Sequence, residues 1–263
     1  MSTAEHPYTT QLQAGLGLFD ETRTLLDLWQ RGMDGNMLKK AALASGRFPA
    51  ITARRLRNIV IESFAPRYLV QQAQPAGILK RLKDAPAPTD LRQLMLLYTC
   101  RANPILGGFI RSAYWPAYAA GAASMDNEGA RAFVRRSIDD GKTATCWSEG
   151  TVKRVARCLT SACADFGLLE AGALSQRRIL RIRISAPAVA ILAHDLHFRG
   201  SADNALLVHE DWALYGLDRQ GVLEEFKRLA LQNLWIVQAA GDAARIGWLH
   251  NDMEAVCDVI AQG

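Results

Sequence analysis

The sequence predicts a mainly α fold built from helix-turn-helix and winged-helix modules, with short β-hairpin wings and a helical region joining them. Three observations carry this. Apolar residues recur at helical spacing through most of the chain, each strand-like alternation follows directly on an amphipathic helix, and basic residues collect on two of these units.

Within residues 12–29 (LQAGLGLFDETRTLLDLW), Leu16, Phe19, Leu25, Leu26 and Trp29 keep a helical period, and Asp20 and Glu21 suit the first turn of a helix through Trp29. Gly32 and Gly35 break it. Asn36 can cap a short helix, Met37 to Ser45, that Gly46 and Pro49 close. Thr52 caps the next, Ala53 to Phe64, whose apolar stripe is Leu56, Ile59, Val60 and Phe64. Helix, glycine-containing turn and basic amphipathic helix is helix-turn-helix order. Pro86 and Pro88 mark a linker, after which Thr89-Asp90 caps a helix through Cys100. Helices interrupted by Pro104, Pro116 and Gly121 fill the stretch to Asp140.

Ser148 caps a helix Glu149 to Phe166 with Val152, Val155, Ala156, Leu159, Ala162, Cys163 and Phe166 as its inner face, and Gly167 ends it. Leu168 to Glu170, a loop with Gly172 and Ser175, and Arg178 to Ser185 then read as two strands, the second alternating Ile179, Arg181 and Arg183 with Leu180, Ile182 and Ile184. A long helix running into a hairpin is recognition helix followed by wing. The last third repeats that order. A helix opens at Pro187 toward Phe198, a shorter one lies near Asp203 to Val208, and Asp218 caps Arg219 to Gln232, with Val222, Phe226, Leu229 and Ala230 facing inward. Leu234 to Ala239 and Ala244 to Leu249 form a hairpin turning at Gly241-Asp242, and a final helix runs from Asp252 to Ala261. The expected domains are a helix-turn-helix-like domain (1–85), a helical middle region (86–141), a winged-helix-like segment with a basic wing (142–186) and a carboxyl-terminal winged-helix-like domain (187–263).

The 263 residues include 31 Lys+Arg against 26 Asp+Glu, and the net +5 is the remainder of uneven blocks. Residues 1–30 sum to −3, 31–83 to +9, 84–141 to zero, 142–183 to +5 and 184–263 to −6. Basic charge concentrated on helix units is the footprint of a nucleic-acid binder. In the first block the candidates for DNA contact are Lys39, Lys40, Arg47, Arg54, Arg55 and Arg57, with only two acids among residues 31–83 to pair them. In the second they are Lys153, Arg154 and Arg157, which share one side of a helix, and the wing residues Arg177, Arg178, Arg181 and Arg183. No Asn or Gln stands in the first turns of that helix, so phosphate contact and DNA shape are expected rather than strict base readout. The carboxyl-terminal unit offsets Arg219, Lys227, Arg228 and Arg245 with Asp218, Glu224, Glu225 and Asp242, which suits protein docking better than DNA.

No P-loop, no G-x-G-x-x-G after a strand, no G-x-S-x-G elbow, no H-E-x-x-H and no kinase signature occurs, so no enzyme, cofactor or small-molecule substrate is expected. His194 and His197 stand at metal-ligand spacing, but nothing beyond His209 offers a further ligand, and a structural role is expected for them. The amino terminus has no secretory pattern, and the longest uncharged stretch, Ser112 to Met125, falls short of the ~20 apolar residues of a membrane span. Five cysteines, an odd number, fit reduced thiols and a cytoplasmic location.

Several stretches, LFDETRTLLDLW (18–29), ITARRLRNIVIESFAPRYL (51–69), LMLLYTCRANPIL (94–106), DDGKTATCWSEGTVKRVA (139–156) and LAHDLHFRG (192–200), resemble in order the BrxA family of the BREX bacteriophage-exclusion systems, over about residues 10–260. The resemblance implies a small non-enzymatic accessory of a defence locus that also encodes a DNA methyltransferase, a phosphatase-like protein and ATPases. It implies an α-helical binder of double-stranded DNA with helix-turn-helix modules at both ends, supporting host DNA methylation and phage exclusion, with those components as partners. A protein-interaction scaffold within the BREX complex is one alternative. RNA binding is another, since the family has been likened to the NusB antitermination factor. The family has also been labelled an inner-membrane protein, which conflicts with the lack of a spanning segment. It supplies no catalytic motif, and the binding residues rest on charge and helix phase.

Overall fold

Capping side chains and prolines set where the helices begin and how they bend. The computed structural model describes residues 8–12, 17–83, 88–172, 175–240 and 243–262. It divides into two units, one of residues 1–76 and 96–182, the other of residues 77–95 and 183–263.

In the first unit, α1 (Phe19–Leu28) is followed by α2 (Gly35–Ala44). The cap of α2 is Asp34 rather than Asn36. Its carboxylate accepts from the Met37 amide at 2.8 Å, so the helix starts two residues earlier than expected. Thr52 caps α3 (Ala53–Asn58), accepting from the Arg55 amide at 3.3 Å. The helix does not stop at Phe64 but widens into a π segment, Ile59–Phe64, and continues as α4 (Ala65–Tyr68). Pro66 explains the widening, because it lacks the N–H that a regular turn needs and its ring would crowd the preceding carbonyl. Leu56, Ile59, Val60 and Phe64 are buried together with Leu25, Leu26 and Leu38.

Next, α5 (Gln74–Leu82) and α6 (Pro88–Ala102) carry the chain into the second unit and back. Pro86 of the expected linker lies outside the described residues, and Pro88 opens α6 ahead of the expected cap at Thr89. The π device recurs at Pro116: α7 (Pro104–Phe109), a π segment Ile110–Tyr114 and α8 (Trp115–Ala119) form one path where a break was expected.

The rest of the first unit has winged-helix order. Strand β1 (Ser124–Asp126) leads to α9 (Asn127–Asp139), α10 (Glu149–Asp165) and β2 (Gln176–Arg178). Ser148 caps α10, accepting from the Thr151 amide at 3.3 Å. β1 pairs antiparallel with β2, Met125 facing Arg177. On the other side of β2, Leu169 bridges Ile179, and the Leu180 amide donates to the Leu168 carbonyl at 2.8 Å. The expected hairpin therefore exists, and the structure adds β1 and α9 to its module.

The expected strand from Arg178 to Ser185 ends early. Beyond Leu180 the chain is irregular, because its polar groups go to a side chain: Gln93 Nε2 donates to the Arg183 carbonyl and Gln93 Oε1 accepts from the Ser185 amide, both at 2.8 Å.

In the second unit, α11 (Ala186–Phe198) is buried all round from Ala188 to Leu196, as befits a helix without a polar face. Around it lie α12 (Asp203–Leu206), a 3-10 turn Glu210–Tyr215, α13 (Arg219–Leu229), the hairpin β3 (Trp235–Ala240) and β4 (Ala243–Trp248), and α14 (Met253–Gln262). α13 ends before Gln232 because residues 230–232 tighten to a 3-10 turn closed by Asn233 in the left-handed region. Phe226 stacks on Trp235 at 4.5 Å, and His194 lies against Trp235 and Trp248 at 5.4 and 4.9 Å. The expected turn residues Gly241 and Asp242 lie outside the described residues. No described helix is long and apolar enough to cross a membrane.

Candidate nucleic-acid interface

The first unit carries 21 Lys and Arg against 13 Asp and Glu, the second 10 against 13, so the basic excess belongs entirely to the first. Within it, Lys40 on α2 and Arg54 and Arg55 on α3 are exposed. Lys39 reaches Asn36 Oδ1 at 3.5 Å, Arg47 donates to Asp27 at 2.9 Å, and Arg57 donates to Glu62 at 3.1 Å. Exposed pairs of this kind are worth about 0–1 kcal/mol, too little to hold an arginine away from a phosphate. The block's two acids are thereby placed, Asp34 as a cap and Glu62 beside Arg57. Arg67 counts toward the block's charge but is buried, and desolvation lowers its pKa.

On α10, Lys153, Arg154 and Arg157 are exposed, while Val152, Val155, Ala156 and Leu159 are buried opposite them. The brace for this helix is α9. Arg135 donates to Glu128 at 3.0 Å and to Glu149 at 2.7 Å, which raises the pKa of Arg135 and lowers that of Glu149. Arg131 also pairs with Glu128, at 2.8 Å, and Arg136 is exposed on the last turns of α9. Charge counting missed these three arginines, because Glu128, Asp139 and Asp140 cancel them in the zero sum of residues 84–141. The winged-helix order of β1, α9 and α10 is the signal that finds them.

The four wing arginines separate. Arg178 and Arg181 are exposed. Arg177, between outward-facing Gln176 and Arg178, points inward by the two-residue period of a strand. It is 9% exposed and donates to the Glu170 carbonyl at 2.8 Å, so it ties the wing together from within. Arg183 lies past the wing in the second unit, 3.5 Å from Glu225, which also pairs with Arg228.

The histidines weighed as ligands have other partners. His194 Nδ1 is 2.8 Å from the Ala190 carbonyl, His197 stacks on Trp248 at 4.2 Å, and His209 Nδ1 accepts from the Asp211 amide at 3.2 Å. Among the described residues no three His, Cys, Asp or Glu side chains come together to hold a metal ion.

In fold, the chain is similar to a solved structure of an uncharacterized protein from Magnetospirillum magneticum, with a TM-score of 0.57 and 13% identity, over 73% of this chain and 95% of that one. Identity that low speaks for the fold alone. No curated protein matches the sequence. The BrxA family model matches residues 6–195, most of the chain, including both basic blocks and the winged-helix module of α9 and α10. The chain therefore belongs to the BrxA family, which implies a role in BREX phage defence.

Proposed function

We propose that this protein is a non-enzymatic accessory of a BREX system that binds double-stranded DNA with little sequence specificity, supporting host DNA methylation and phage exclusion. The α10 face, with Lys153, Arg154 and Arg157, and the wing residues Arg178 and Arg181 form one contact surface. Lys39, Lys40, Arg47, Arg54, Arg55 and Arg57 form the other. The observation that carries this reading is the α10 face, where three cations stand on a helix of winged-helix order and the acid opening that helix is already paired with Arg135. DNA presents about one phosphate charge per 1.7 Å of axis, so such a face releases counterions on binding.

The remaining BREX components, the methyltransferase, phosphatase-like protein and ATPases, are its proposed protein partners. The proposed location is cytoplasmic, because an odd number of cysteines, five, fits reduced thiols better than a disulfide framework. The test is a salt series with unrelated duplexes, run on the wild type and on the triple variant Lys153→Glu, Arg154→Glu, Arg157→Glu. Affinity should fall steeply with salt and collapse in the variant. Insensitivity to salt, or a variant that binds like the wild type, overturns the reading, and preference for RNA hairpins over duplex DNA replaces it with RNA binding.

A further inference from the structure

Gly108 lies inside α7, where an alanine would suit the helix better. The reason for the glycine is Tyr8. A Cβ added at Gly108 would overlap the Tyr8 hydroxyl and crowd the end of its ring at 2.9 Å, so the missing side chain is the seat that the tyrosine fills. The Tyr8 ring also packs on Phe133 of α9, at 6.3 Å between centroids, and Phe133 meets Phe109 edge to face at 5.3 Å. Leu12 is buried as well, so residues 8–12 are anchored at both ends.

The main chain of Tyr8 reaches a different element. Its amide donates to the Lys142 carbonyl at 2.6 Å, and Tyr8 forms a parallel bridge with Thr143. Both partners stand in the turn that leads from α9 to α10. The first part of that turn is held by α9 itself, since the Gly141 amide donates to the Ile138 carbonyl at 3.0 Å and the Lys142 amide to the Ser137 carbonyl at 2.9 Å, the glycine closure of a helix. From Gly141 to Ser148 every residue is exposed or half-buried, and Thr143 Oγ1 donates within the turn to the Thr145 carbonyl at 2.9 Å. Tyr8 ties this segment to the body of the unit.

We propose that Tyr8 is a positioning residue for DNA binding. Seated on Gly108, it fastens the turn before α10 and thereby holds the start of that helix, with Lys153 and Arg154, in the pose that meets phosphate. The proposal rests on the DNA-binding reading above. A turn ordered before the encounter spares the complex the cost of ordering it on binding. Tyr8 carries no charge, so its part in binding leaves the number of phosphate contacts as it is.

The test combines hydrogen exchange and duplex binding on the full-length protein. Gly108→Ala, which favours the helix but fills the seat, and Tyr8→Ala, which empties it, should each speed amide exchange in residues 141–148. Each should also weaken duplex binding by about two- to tenfold, the scale of ordering one or two side chains on binding. The slope of log affinity against log salt should stay that of the wild type, because no cation is lost. Tyr8→Phe added to Gly108→Ala removes the oxygen nearest the new methyl group and should recover part of both losses, a rescue that general destabilisation does not produce. Unchanged exchange in 141–148 in both single variants, or faster exchange with duplex binding like that of the wild type, overturns the proposal and leaves the DNA-binding reading standing. A wild type that retains no duplex overturns that reading and the proposal together.

Discussion

Arg135 on α9 donates to Glu149 Oε1 at 2.7 Å, so the acid at the start of α10 is neutralised by the helix that braces it. An unpaired carboxylate there would face the phosphates that Lys153 and Arg154 are proposed to meet. Arg135→Ala should accordingly weaken duplex binding by about two- to fivefold at low salt, the scale of an exposed charge interaction. Adding Glu149→Gln should restore most of that loss, although it supplies no new cation. Fluorescence anisotropy on the two variants checks this, and a double variant no better than the single one contradicts it.

The exposed cations on α10 are proposed to act through charge rather than base contacts. Lys153→Ala should lower affinity by a similar factor for every duplex tested and reduce the slope of log affinity against log salt by about 1. A loss confined to one sequence would instead assign Lys153 to base readout.

Arg177 should behave differently from its neighbour Arg178. It is buried and bonded to the Glu170 carbonyl, so Arg177→Ala leaves that acceptor without its donor, at about 1–3 kcal/mol. In a chain of this length that corresponds to a fall of several degrees in Tm, about 2–4 °C for each kcal/mol. Arg178→Ala should leave the melting temperature unchanged and weaken DNA binding. Scanning calorimetry and anisotropy on the pair separate the two roles.

Acid should destabilise the second unit through His194. Burial among Trp235, Trp248 and Phe198 pushes its pKa down to about 4, while the unfolded chain keeps about 6.5. The unfolded state thus takes up the proton first. The stability contributed by the neutral ring is complete above pH 6.5 and is lost as pH falls toward 4, at most about 1.4 kcal/mol per pH unit. His194→Phe should flatten the fall in Tm between pH 7 and 5, and an unchanged slope would remove His194 as its source.

Much of this fold is legible in the chain itself, because caps and periodicity act within a few residues. Thr52, Ser148 and Asp218 each accept the amide three positions on, at the start of a helix. The stripes Leu56 to Phe64 and Val152 to Phe166 are buried as their spacing requires. Both hairpins stand where an alternating pattern follows an amphipathic helix.

What the sequence determined by itself, then, is the helical order, the inner faces and the two basic blocks, all properties of neighbours along the chain. Tertiary structure alone decided what those blocks present. Arg177 turns inward because β2 must pair with β1, fifty residues earlier in the chain (Gln176 Nε2 bonds Ser124 Oγ at a separation of 52 residues). The pattern around Arg183 is not a strand because Gln93, 90 residues away, takes its main-chain carbonyl. A side chain's period in the sequence states only which residues share a face, whereas whether that face meets water or protein depends on partners that the fold brings from far along the chain.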